Sequence, residues 1–259
     1  MEKGKEYHIA LGKGDVGRYV LLPGDPGRVP VIASFFDKAQ KVAQNREYTT
    51  YTGYVDGIKI SATSTGIGCP STAIAVEELA KCGADTFIRV GTAGSLQRGV
   101  GLGDLVISTS SVREDGTSRQ YVPLSYPAVA DLDVTIALRE AAKKFGYRTH
   151  TGISHTKDAF YIEDHKTLPL AKYQKELWEV WERANVVATA MEASALFVIS
   201  SIKKLRAGEI LAIIGLTYDD APIVKKVGIE DAIKTAIEAV KILDKMDSRH
   251  KPSSKKGKK

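Results

Sequence analysis

The sequence predicts an α/β fold, a single domain in which helices cover a mixed or mainly parallel sheet. Three observations carry that expectation. Short apolar runs with β-rich composition alternate with longer stretches of helical periodicity. Near the carboxyl end, strong helical patterns flank an apolar strand, as layered α/β domains require. Glycine-rich turns directly follow several candidate strands, where open α/β sheets collect their ligands. A length of 259 residues suits one large domain with its own core.

Taken in order, Tyr19–Leu22, Ile58–Thr63, Thr86–Val90 and Leu105–Thr109 read as strands. Ser71–Lys81 groups Ile74, Val76, Leu79 and Ala80 at helical spacing, and Pro70 suits a helix start. Asp133–Phe145 is an amphipathic helix stopped by Gly146. His150–Ser154 reads as a further strand, and Leu168–Arg183 as a highly charged helix that carries both tryptophans. The helices Glu192–Leu205 and Ile229–Met246 flank the apolar strand Glu209–Leu216. No internal repeat or low-complexity linker interrupts this pattern. One domain over residues 1–246, followed by a tail over 247–259, is the simplest partition.

The net charge of +6 invites a nucleic-acid reading, but residues 247–259 account for +5 of it. That tail (SRHKPSSKKGKK after Asp247) has no apolar residue to pack and is expected to be disordered and solvated. Nucleic acid is therefore not an expected partner. The amino-terminal stretch has no apolar h-region, and no apolar run approaches the ~18 residues that span a bilayer. Cys69 and Cys82 form neither a metal motif nor a disulfide framework. A cytoplasmic protein without a membrane partner is expected.

Three glycine-rich turns carry the chemistry. Pro23-Gly24-Asp25-Pro26-Gly27-Arg28 follows the first strand. Its glycines let an anion approach backbone N–H groups and Arg28 can close on it, although the same residues make an ordinary turn. In Arg89-Val90-Gly91-Thr92-Ala93-Gly94-Ser95, an arginine stands inside an apolar strand. Burying it demands an anionic partner, either a carboxylate or a bound phosphate. The turn-like Gly-Thr-Ala-Gly that follows favours phosphate, which a guanidinium fork grips bidentately. Ser64-Thr65-Gly66-Ile67-Gly68-Cys69-Pro70-Ser71 can cradle an anion at a helix start or simply pack strand against helix, and both readings stay open. None of the three is a Walker A loop or a full dinucleotide fingerprint, so ATP and NAD chemistry have little support.

The stretches LPGDPGR, NREYTTYTG, STGIGCPSTAIAVEELAKCGADTFIRVGTAGSLQ, PAVADLDVTIALREAAK and AMEASAL occur in this order from about Tyr7 to Met246. Together they resemble the bacterial and archaeal uridine phosphorylases of the nucleoside phosphorylase family. The resemblance implies a three-layer α/β/α sandwich and a hexamer of three dimers whose active sites are shared between subunits. It implies phosphate-dependent cleavage of a ribonucleoside, uridine favoured, to free base and ribose 1-phosphate, with no cofactor beyond the phosphate co-substrate. Carried over by motif, Gly24, Arg28, Arg89 and Thr92 hold phosphate, and Arg46 is supplied by the neighbouring chain. His8, Met191 and Glu192 hold ribose, His8 by reaching across to the 5′-hydroxyl. Phe160 lies in the sugar–base pocket. Glu47, Ile67 and Ser71 match positions that hold a monovalent cation, such as K+, between subunits in some relatives.

The reaction fits those residue types. Phosphate attacks C1′, positive charge builds on the ribose, and positioning with preorganised electrostatics supplies most of the acceleration. Arg28, Arg46 and Arg89 position the nucleophile, and Glu192 accepts from the ribose hydroxyls. Glu192 is alternatively the acidic first-turn residue of a helix. The match breaks in three places. Ala190 stands where relatives carry a Glu. The Gln and Arg that read uracil are missing after Phe160-Tyr161, where Lys166 is the remaining donor. Asp219, or Asp220 after a one-residue shift, stands where purine-specific relatives place the acid that protonates the leaving base, and it is alternatively part of a plain turn. Purine nucleoside phosphorylase is thus the second reading. A nucleosidase needs no converging arginines, and a methylthioadenosine phosphorylase fits His8 poorly. A non-catalytic nucleoside or nucleic-acid-binding protein on the same fold is the rival of a different class.

Overall fold

The structure is a computed structural model that describes residues 4–163, 168–218, 223 and 227–250. Ten strands form one mixed sheet: β1 (Tyr19–Leu22), β2 (Asp37–Asn45), β3 (Tyr48–Val55), β4 (Ile58–Thr63), β5 (Thr86–Ser95), β6 (Leu105–Glu114), β7 (Ala128–Val129), β8 (Thr149–Lys157), β9 (Ala188–Ala190) and β10 (Arg206–Leu216). The helices are α1 (Arg28–Ala33), α2 (Cys69–Lys81), α3 (Ser118–Tyr121), α4 (Leu132–Phe145), α5 (Ala171–Arg183), α6 (Ala193–Ile202) and α7 (Ile229–His250).

Alternation along the buried strands produces three layers. In β1, Tyr19 and Leu21 face a core shared with α1, α4 and α7, which includes Val134, Leu138, Ile233 and Leu243. Val20 and Leu22 face the opposite core, where Val76 and Leu79 of α2 meet Leu196 and Phe197 of α6. The expected α/β/α arrangement with a mixed sheet is therefore present.

The middle of the sheet is β5. Along one edge it pairs in parallel with β10 from Arg206↔Thr86 to Leu216↔Ser95. Its other edge is divided. β1 occupies the first half and ends with Leu22 opposite Arg89, whereas β9 enters antiparallel in the second half at Gly94 and Ser95. β9 pairs β8, β8 pairs β6, and β6 pairs β10, so five strands close into a ring around Ala93, Val106, Leu211 and Ile213. The gap on the divided edge of β5 is a switch point of the kind that binds ligands in open α/β sheets.

Sequence and structure differ at instructive places. The expected strand Thr86–Val90 runs on to Ser95, so Gly91-Thr92-Ala93-Gly94 is paired strand rather than loop. Gly91 permits this, because a Cβ there would lie 2.6 Å from Leu211 Cδ2 and 3.1 Å from Arg89 Nη2. β2 and β3 were not among the expected strands, although the Tyr and Thr residues of β3 favour one. β2 is polar and largely exposed, and exists as the hairpin partner of β3. Helix α4 starts where Asp131 accepts from the Val134 N–H at 3.0 Å and stops at Gly146 with φ 72°. Glu192 precedes α6 and makes no cap, so the first-turn reading of it fails. The boundary at residue 246 falls inside α7, which continues to His250. Asp247 anchors that last turn by binding Arg206 through both carboxylate oxygens, at 2.9 and 2.8 Å. Residues 251–259 lie outside the described residues. No helix among the described residues is long and apolar enough to cross a membrane.

Candidate active site

A cavity of about 790 Å³ opens over the divided edge of β5 and the carboxyl ends of β1, β8 and β10. Gly24, Arg28, Ile67, Arg89, Thr92, Phe160, Met191 and Glu192 all line it, so the fold gathers eight of the expected site residues in one place.

Arg89 is its most constrained group. Only 5% of it is exposed. Its Nε donates to Glu209 Oε1 at 3.1 Å, and its Nη2 is paired with Glu192. Nη1 is buried and has no hydrogen-bond partner among the described residues. The sequence left carboxylate and phosphate open as partners for this arginine. The fold supplies two carboxylates and still leaves one N–H-bearing nitrogen unsatisfied, a group that is expensive to bury without an acceptor. Gly24 leaves room beside it, since a Cβ there would stand 3.8 Å from Nη1 and 3.0 Å from the Gly66 carbonyl. Arg28 leans in from the start of α1, its Nη1 donating to the Val90 carbonyl at 3.0 Å. Burial, and next the charge of Arg89, lower the pKa of Arg28 below its ordinary value. Two guanidinium groups crowded this way favour an anion between them.

Glu192 is 3% exposed and rigidly held. Besides Arg89, its carboxylate accepts from the Gly68 N–H at 2.9 Å and the Met191 N–H at 3.0 Å. The Gly68 contact settles one part of the turn before α2: Gly68, at φ 94°, directs its N–H to this carboxylate. Glu209 escaped the sequence reading, although a carboxylate in an apolar strand is the same signal that exposed Arg89. It is fully buried, lies in register with Arg89, and accepts from Ser108 at 2.5 Å and Ser154 at 3.3 Å. Burial raises its pKa, and Arg89 and the two serines pull it back in part.

Lys157 and Thr189 also line the cavity and were not singled out by sequence. Lys157 ends a strand that was expected to stop at Ser154, so it looked like a loop residue.

Other expected residues lie away from the cavity or outside the described residues. His8 sits on the amino-terminal segment, its Nδ1 2.6 Å from Glu78 Oε1. Arg46 is exposed at the β2–β3 turn, with φ 52° and its guanidinium 5.8 Å from the Tyr7 ring centroid. Neither lines the cavity of its own chain. Glu47 and Ser71 converge on Gly66, where a Cβ would meet Glu47 Cγ at 2.9 Å and Ser71 Oγ at 3.3 Å, and Ile67, next in sequence, lines the cavity. Their oxygens are the hard donors that an alkali cation takes. Lys166, Asp219 and Asp220 lie outside the described residues.

A mixed α/β sheet with a preorganised, partly unsatisfied arginine facing a buried carboxylate defines an enzyme that sets an anionic reactant against a polar one. The phosphorylase superfamily model matches residues 18–246, and the chain belongs to that superfamily. It is 47% identical over 258 residues to a uridine phosphorylase of Thermococcus kodakarensis, covering 98% of this chain and 92% of the relative. It is 39% identical over 252 residues to a uridine phosphorylase of Escherichia coli, covering 94% of this chain and 100% of the relative. A guanosine phosphorylase of Halorubrum lacusprofundi is also 39% identical, over 249 residues, with 92% of this chain and 99% of the relative covered.

Proposed function

We propose that the chain is a phosphate-dependent nucleoside phosphorylase, a pentosyltransferase that converts a ribonucleoside, uridine first among them, and phosphate to free base and ribose 1-phosphate. The observation that carries this reading is the buried Nη1 of Arg89, without an acceptor among the described residues and facing the cavity beside Gly24 and Arg28. A hydrolase working with water has no use for it. The names of the relatives support uridine, and the guanosine phosphorylase relative supports a purine as second reading.

Phosphate held by Arg28, Arg89, Gly24 and Thr92 presents one oxygen to C1′. As the C1′–N bond breaks, its electrons leave with the base, and the new C1′–O bond forms to phosphate. Glu192, fixed by Gly68, Met191 and Arg89, accepts from the ribose hydroxyls, and its charge favours the developing sugar cation. No covalent enzyme intermediate is needed.

The same reading makes the enzyme a cytoplasmic homo-oligomer, a hexamer of three dimers. Arg46 and His8 of one subunit then complete the site of the next. The Glu78 carboxylate binds His8 Nδ1 and leaves Nε2 to meet a 5′-hydroxyl. Glu47, the Ile67 carbonyl and Ser71 are the positions for a K+ ion between subunits. The chemistry uses no cofactor besides phosphate. The test is free-base release from uridine, thymidine, inosine, guanosine and adenosine, with and without phosphate. Phosphate-dependent uracil release is expected. Release that ignores phosphate rejects the reading.

A further inference from the structure

Lys157 closes β8 with its side chain in the wall of the cavity and only 3% of the residue exposed. An ammonium is costly to withdraw from water, and a fold that does so beside a ligand cavity must hold it in place. Here the holding is extensive. Lys157 Nζ donates to Thr189 Oγ1 at 3.0 Å, and His155 Nδ1 lies 3.0 Å from the same hydroxyl. His155 is fully buried and is bonded through Nε2 to Glu114, which also accepts from Trp181 Nε1 at 3.3 Å. Lys157 Nζ stands 5.3 Å from the Trp178 ring centroid and 6.0 Å from that of Phe160. Strand β9 separates β8 from β5. Lys157 therefore lies two strand spacings, about 10 Å, from the strand that carries Arg89 and Thr92. Glu192 follows β9 between them. A ligand with phosphate at β5 and ribose at Glu192 thus places its third part, the base, at Lys157 and Phe160.

We propose that Lys157 is the residue that reads the base, donating to an exocyclic carbonyl oxygen on the edge remote from the ribose. The substrate class is a nucleoside with an oxo group there, such as uridine, inosine or guanosine, in preference to the amino-substituted cytidine or adenosine. The inference rests on the phosphorylase reading and adds its specificity. As the C1′–N bond breaks, the bonding electrons pass into the base and charge builds on that oxygen, where the ammonium stabilises it without transferring a proton. Thr189, His155 and Glu114 are positioning residues for the ammonium.

The test compares kcat/KM for uridine, cytidine, inosine and adenosine in the wild type and in Lys157→Met, together with KM for phosphate and direct binding of free uracil and hypoxanthine. Loss of a charge-assisted hydrogen bond predicts a drop of roughly 30- to 100-fold for the best oxo substrate. The preference over its amino counterpart should collapse, free-base binding should weaken in parallel, and KM for phosphate should stay within about twofold. An unchanged preference, or an equal loss on every nucleoside with free-base binding intact, overturns the proposal. A wild type that cleaves no nucleoside overturns the phosphorylase reading itself, which separates the two failures. Should Lys157→Met not fold, Lys157→Leu is judged by the same criteria.

Discussion

Two arginines on neighbouring strands show what separates a site from a strut. Arg206 opens β10, opposite Thr86, and Arg89 lies three residues further along β5, opposite Glu209. Both answer to carboxylates. Arg206 spends its fork on Asp247 and its Nε on Thr86 Oγ1 at 3.0 Å. Asp247 in turn takes Arg18 at 3.1 Å and the Tyr19 hydroxyl at 2.9 Å. That cluster pins the end of α7 to the amino edge of the sheet. Arg89 has two carboxylate partners where Arg206 has one, yet its Nη1 is buried beside Gly24 with no acceptor among the described residues. Charge and carboxylate pairing are common to both, and Arg89 is the more deeply buried, with 6% of its side chain exposed against 19%. What sets Arg89 apart is an unspent donor in the wall of a cavity.

The comparison breaks most visibly at Arg89 itself. Arg89→Ala should reduce phosphate-dependent kcat/KM by at least about a thousandfold, the scale of losing a preorganised charge contact to the reacting groups. It should also lower stability by about 3–5 kcal/mol, because Glu192 and Glu209 are left as buried, uncompensated carboxylates. Steady-state kinetics and urea unfolding measure the two losses, and retained phosphate dependence rejects the site assignment. Gly91→Ala should act more gently. The added methyl must displace Leu211 or the Arg89 guanidinium, and overpacking of this kind costs about 1–3 kcal/mol. KM for phosphate should rise about tenfold while KM for the nucleoside moves less. An equal rise in both would mean that Gly91 serves packing alone.

Asp247→Asn tests the strut. It should lower stability by about 1–3 kcal/mol and leave kcat/KM within about twofold. Burial pushes the Asp247 carboxyl up, but hydrogen bonds from Arg206 and Tyr19 and the charges of Arg206 and Arg18 outweigh this, so its pKa lies below the ordinary 3.8. A folded-state pKa depressed in this way contributes stability above the unfolded value and loses it as pH falls through the folded one. The gap between wild type and variant in urea melts should therefore be full at pH 6 and shrink below pH 4. A gap independent of pH would remove the ionised carboxylate from the account. Truncation supplies the smallest effect. Ending the chain after Met246 should reproduce Asp247→Asn, whereas ending it after His250 should leave melting temperature and kinetics unchanged.

Legibility in the sequence followed the same physics. β1 and β4 were legible to the residue, β1 because it is apolar on both faces and β4 because Ile58, Ile60 and Ala62 alternate with polar residues. β2 was not, because its Lys and Gln side chains face water and its strand character comes from β3. Arg89 was legible as a charge in an apolar strand, and Glu209 carried the same signal, but nothing local indicates that β10 pairs β5 in the register that joins them. Lys157 was hidden by an element boundary, since the extent of β8 depends on its pairing with β6 and β9. Glu192 lines the cavity, and it stands at the N-cap position of α6, one residue before the first turn, without a side-chain cap.

The divided edge of β5 has a consequence for how such an enzyme can change over generations. The groups proposed to grip the anion come from β5 and from the turn and helix after β1, and β5 is paired with β10 along its whole length, so almost any alteration there is felt by the core. Those proposed to meet the base come from the end of β8 and the turn after it, beyond the short strand β9. Substitutions on that side can exchange one leaving group for another without disturbing the electrostatics that hold phosphate. Selection is thereby offered two separately adjustable parts, a reaction that must be kept and a diet that is free to shift.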